Sequence, residues 1–61
     1  MFKLHFFTSN AAFDEGGATE TARILREVAA RYEAGTFEGP IRDSNGNTIG
    51  QFYTTPTNAK E

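Results

Sequence analysis

The sequence predicts an α+β domain of βαββ order, with one helix packed on a three-stranded antiparallel sheet in spatial order 2-3-1. Three observations predict it. Residues 2–8 alternate core-type and mostly polar side chains with the period of a strand. Residues 18–34 place apolar side chains on one helical stripe. Residues 36–54 form two strand-like runs around Ser44-Asn45-Gly46, a turn sequence. The chain has 61 residues and no cysteine, so one small domain is what fits. It covers 1–54, and residues 55–61, with Pro56 and no periodicity, read as a mobile tail.

In the first strand Phe2, Leu4 and Phe6 suit a core face, and Lys3, His5 and Phe7 point the other way. Ser9 or Asn10 can cap a short turn through Ala11, Ala12 and Phe13, with Phe13 plugging one end of the core. Gly16-Gly17 breaks the chain before the helix. The expected buried stripe is Ala18, Thr21, Ala22, Leu25, Val28, Ala29 and Tyr32, flanked by Ile24. Thr19 is a possible N-cap, and Glu20 suits the positive end of the helix dipole. Glu27 and Arg31 stand in the favourable i, i+4 order. Gly35 suits the position just after the helix, where positive φ is needed.

Two hairpin registers compete. A two-residue Asn45-Gly46 loop pairs Asp43 with Thr48 and sends Ile41 and Ile49 to opposite faces. A three-residue loop pairs Asp43 with Asn47 and puts Phe37, Ile41, Ile49 and Tyr53 on one face. Asp43 opening a type I turn and Gly46 closing it favour the three-residue loop, with a bulge at Gly46. Pro40 lacks an N–H, so its strand belongs at an edge and the last strand in the middle.

Composition narrows the function. Six basic and eight acidic residues give a net charge of −2, which does not make a nucleic-acid footprint. No apolar run approaches a membrane span, and the start Met-Phe-Lys-Leu-His-Phe-Phe does not read as a signal peptide. These features fit the cytoplasm.

The chemical motifs are thin. Asp43-Ser44-Asn45-Gly46-Asn47 only superficially resembles a calcium loop, since Gly and Glu are not at the required positions. His5 is the only histidine and has no nucleophile paired with it, so no catalytic residue and no metal site are expected. Asp14-Glu15 reads as solvated acids, and Gly16-Gly17 lacks the Lys and Ser/Thr of a phosphate loop. No cofactor is expected.

A single helix covers one sheet face and leaves the other open. In the expected register that open face carries Lys3, His5, Phe7, Glu38, Pro40, Arg42, Thr48, Gly50 and Phe52. Phe7 and Phe52 would form an uncovered aromatic pair, so His5, Phe7, Arg42 and Phe52 are the candidate binding residues. The charged helix side, with Arg23, Arg26 and Glu27, is a weaker candidate.

The segments Phe6 to Phe13, Glu20 to Ala29 and Gly39 to Gly50 together resemble a group of very short proteins encoded in bacteriophage and prophage genomes, mostly without assigned function. The resemblance implies a phage accessory protein and brings no catalytic residues with it. By analogy of size and origin, such a protein binds and blocks host machinery or host defence, as anti-CRISPR proteins do. The expectation is a non-enzymatic blocker of a host protein, acting in the host cytoplasm, with a homodimer as the other partner to consider. The alternatives are a small dimeric nucleic-acid-associated regulator and a sponge for a nucleotide signal.

Overall fold

A computed structural model describes residues 1–55 of the chain. The elements are β1 (Phe2–Phe6), a 3-10 turn (Ala11–Phe13), α1 (Gly17–Glu33), β2 (Glu38–Arg42) and β3 (Thr48–Thr54). The sheet is antiparallel in the order β1-β3-β2, the expected βαββ arrangement. Beyond Thr55, the expected tail lies outside the described residues.

The hairpin turn forms as its residues dictate. Asp43 N–H donates to Asn47 O, and Gly46 N–H donates to Asp43 O. Gly46 takes φ 83°, the left-handed value that closes a three-residue loop. Arg42 accordingly pairs with Thr48, as expected.

One residue further the expected register fails. Ile41 pairs with Gly50 rather than with Ile49, because Ile49 is an extra residue bulged out of the β3 ladder. A bulge moves every later residue of its strand to the opposite face. Phe52 therefore points into the core and is 1% exposed, and Tyr53 moves to the open face opposite Lys3 and Glu38. Gly50 marks the place. A Cβ there would lie 2.0 Å from His5 O and 2.5 Å from Phe6 Cα, so only glycine lets the two backbones approach this closely.

The core is Ile24, Val28, Ile41, Ile49 and Phe52, with Leu4, Phe6, Phe13 and Tyr32 packed against it. Phe13 stacks on Phe6 and closes one end, as expected. The other end is an aromatic chain in which Tyr32 meets Phe2 and Phe37 edge to face. Phe37 itself lies outside β2 and is exposed, not in the expected core row.

The helix is turned from its expected orientation. Its buried positions are Glu20, Ile24 and Val28, and Leu25 is 47% exposed. Polar attachments set this rotation. The Arg23 guanidinium donates to Arg42 O, and Arg31 donates to Pro40 O and lies over the Phe52 ring at 4.9 Å. Both tie α1 to β2, and the helix packs more closely on β2 than on β1. Gly16, with φ 69°, occupies the N-cap position, not Thr19, and Gly35 takes φ 101° after the helix as expected.

Candidate functional site

The residues expected to form a binding patch do not come together. His5 is exposed on the open face opposite Gln51, and Phe7 is 72% exposed just past the end of β1. Arg42 stands at the β2 edge beside Glu27, Arg31 and Pro40. Phe52 is removed from the patch altogether by the Ile49 bulge, which buries it beneath α1. The uncovered Phe7–Phe52 pair therefore does not exist. The open face instead has a shallow depression of about 580 Å³ between β2 and β3, with Glu38, Pro40, Gln51 and Tyr53 in its lining.

The charged helix side is largely committed to structure. Arg23 forms a two-pronged contact with Glu20, at 2.9 and 3.0 Å, and also approaches Glu27 at 3.6 Å. Arg31 turns to Pro40 O rather than pairing with Glu27. Of the three candidates there, Arg26 alone makes no such contact among the described residues.

Glu20 and Asp43, both buried, anchor a polar lock between the helix start and the hairpin turn. Glu20 accepts from the Ser44 N–H at 2.8 Å. Asp43 accepts from the Asn45 and Asn47 N–H groups, each at 2.9 Å, and from the Asn10 and Asn47 side chains. The Arg23 hydrogen bonds, joined by the Ser44 N–H, hold the Glu20 carboxyl below its ordinary value against the opposing effect of burial. Burial pushes Asp43 upward, but its hydrogen bonds from Asn47, Asn45 and Asn10 outweigh this and hold it below its ordinary value. The lock fixes the turn that sets the β2–β3 register. No group of three metal-ligating side chains is found among the described residues.

The spare apolar surface lies elsewhere, along the β1 side of the helix. Because α1 leans toward β2, the inner face of β1 is incompletely covered, and Phe2 is 47% exposed. A groove of about 470 Å³ runs there, lined by Phe2, Leu4, Leu25, Val28, Ala29 and Tyr32, with Glu33 at its rim. It meets a second depression at Leu25, lined among others by Phe13, Ala18 and Ala22. The sequence pattern predicts Leu25, Ala29, Ala22 and Ala18 in the core, whereas Ala18, Leu25 and Ala29 are exposed and Ala22 is half-buried. The signal against that was Ile24, the one β-branched aliphatic residue that shares the i, i+4 row of Val28.

The two edges of the sheet differ sharply. At the β2 edge Pro40 supplies no donor, and the Pro40 and Arg42 carbonyls are capped by Arg31 and Arg23. The β1 edge has no such cover among the described residues. Phe7 N–H bonds Ile49 O and Thr55 N–H bonds Met1 O, so the odd-numbered residues of this strand face β3. The N–H and C=O groups of Phe2, Leu4 and Phe6 therefore point outward.

No family model, no curated protein and no solved structure matches this chain. No helix among the described residues is long and apolar enough to cross a membrane.

Proposed function

We propose that this protein is a non-enzymatic phage accessory protein that works by binding a host protein and obstructing it. The observation that carries this reading is the apolar groove between β1 and α1, which leaves Phe2 and Leu25 each 47% exposed in so small a chain. Exposed apolar surface of this kind, bordered by polar groups, is what protein interfaces use. Obstruction needs no covalent step, which suits a surface whose polar clusters are spent on holding the fold. The resemblance to short phage-encoded proteins supports a role in host takeover or counter-defence in the host cytoplasm.

The test is capture from nuclease-treated bacterial lysate at moderate and raised salt, followed by assay of the purified partner. The expected result is one protein retained in stoichiometric amount and inhibited when bound. Leu25→Glu should abolish both effects and shift Tm by no more than about 4 °C. Retention of nucleic acid or nucleotide in place of a protein would reject the reading in favour of a regulator or a sponge.

A further inference from the structure

We infer that the open edge of β1 receives an extended strand of a partner protein in which apolar and acidic side chains alternate. This rests on the binding role proposed above and names its surface and the chemistry of its partner.

Three observations converge on that edge. The outward N–H and C=O groups of Phe2, Leu4 and Phe6 form a ladder without partners among the described residues, which an added strand can continue. The same three side chains lie on the helix side of the sheet, where the groove floored by Leu25 and Ala29 has room for a neighbouring strand's apolar residues. On the other side, the residues next to the edge are Lys3 and His5, whose β3 neighbours Tyr53 and Gln51 carry no carboxylate. A strand laid along β1 thus meets apolar surface at alternate residues and a cation or imidazole at the residues between. Valine, isoleucine or leucine suit the first set, and glutamate or aspartate the second.

This charge pattern argues against a second copy of the chain as the occupant. Antiparallel self-pairing through the outward residues can place Leu4 opposite Leu4, Phe2 opposite Leu4, or Leu4 opposite Phe6. These registers oppose Lys3 to His5, Lys3 to Lys3, or His5 to His5, and none supplies a carboxylate. The sequence of residues 56–61 lacks the alternation of apolar and acidic side chains, with Pro56 and Ala59 as its only apolar residues. The β2 edge is excluded by Pro40 and its arginine caps.

Two short capped peptides test the inference, one alternating valine with glutamate and the other valine with lysine. Amide hydrogen exchange and chemical shifts of the full chain are followed by NMR. The glutamate peptide should slow exchange at Phe2, Leu4 and Phe6 and leave the β2 edge unchanged. The lysine peptide should bind several-fold more weakly, from the reversal of the cross-strand charge contact at Lys3 and the loss of a hydrogen-bond acceptor opposite His5. In the Lys3→Glu/His5→Glu variant, which alters exposed side chains only, the preference should reverse. Absence of protection at the three amides, or equal binding of both peptides, would overturn the inference. So would amides already protected in the free protein, with sedimentation as a dimer assigning the edge to a second copy and sedimentation as a monomer assigning it to the chain's own last residues. A host protein still captured by a variant whose β1 edge binds neither peptide would reject this surface and leave the blocking role standing.

Discussion

At the scale of single residues, two glycines of the sheet make opposite demands. A Cβ at Gly50 would strike backbone atoms of β1 at 2.0 and 2.5 Å, which cannot move without opening the β1–β3 ladder. A Cβ at Gly39 would meet the tip of the Arg31 side chain, which can swing away. Gly50→Ala should therefore cost about 3 kcal/mol, at the upper end of overpacking penalties. Gly39→Ala should cost about 1–2 kcal/mol, the worth of a partly exposed cation–π contact and of the Arg31 hydrogen bond to Pro40 O. Urea denaturation of the two variants measures the difference, and equal midpoints would contradict the close approach at Gly50. The acidic pair carries a prediction of its own. Glu20 and Asp43 both have pKa values depressed in the folded chain, so they bind protons less readily folded than unfolded. Their stabilisation is then fully present above the unfolded carboxylate values of about 4 and is lost as pH falls through the lower folded values. Urea midpoints of the natural chain should fall over that acid range, and Glu20→Gln with Asp43→Asn should flatten the curve.

At the scale of elements, the helix shows which parts of the fold sequence patterns report and which they do not. Its limits were legible, because Gly16-Gly17 and Gly35 bracket a continuous apolar period. Its rotation was not, because the side chains from Ala18 to Tyr32 give two overlapping stripes, and tertiary hydrogen bonds choose between them. Arg23 and Arg31 each reach a carbonyl on β2, and that brings Ile24 inward and leaves Leu25 at the groove. Ile24→Ala should accordingly cost about 2–5 kcal/mol, the range for a fully buried aliphatic side chain. Leu25→Glu should alter stability by no more than about 0.5 kcal/mol, as for other surface substitutions. Thermal melts that ranked the two the other way would restore the stripe centred on Leu25. The hairpin has the same division. The turn was readable from Asp43 and Gly46, and the strand order from Pro40. The Ile49 bulge was not read, although a lone glycine inside a strand run is its usual sign, and Gly50 is such a residue. That one residue exchanged Phe52 and Tyr53 between faces and moved the candidate surface from the open sheet face to the β1 edge.

At the scale of the whole molecule, the distribution of charge bears on the proposed blocker and its two alternatives. Nucleic-acid binding draws its affinity from several cations that neutralise phosphates together. Here Arg23 is held by Glu20, and Arg31 is laid over Phe52. Of the other described side-chain cations, Lys3 is on β1, Arg26 on the helix, and Arg42 at the β2 edge beside Glu27 and Arg31. The chain as a whole is net negative, at −2. A sponge for a nucleotide signal would need the same convergence of cations on a small ligand. Thermal melting resolves the three, because any ligand that binds only the folded state raises its stability by mass action. At a hundredfold excess over Kd the gain is about 2.7 kcal/mol. In a domain this small each kcal/mol moves Tm by about 4–8 °C, so a true ligand is conspicuous. Single-stranded DNA, RNA and a panel of cyclic and linear nucleotides should leave Tm unchanged at low salt, where electrostatic binding is strongest. The valine–glutamate peptide should raise it, and the part of the rise that comes from apolar contact in the groove should survive added salt, which screens only the charge contacts. A nucleotide or nucleic acid that raised Tm while the peptide did not would replace the blocker with a sponge or a regulator.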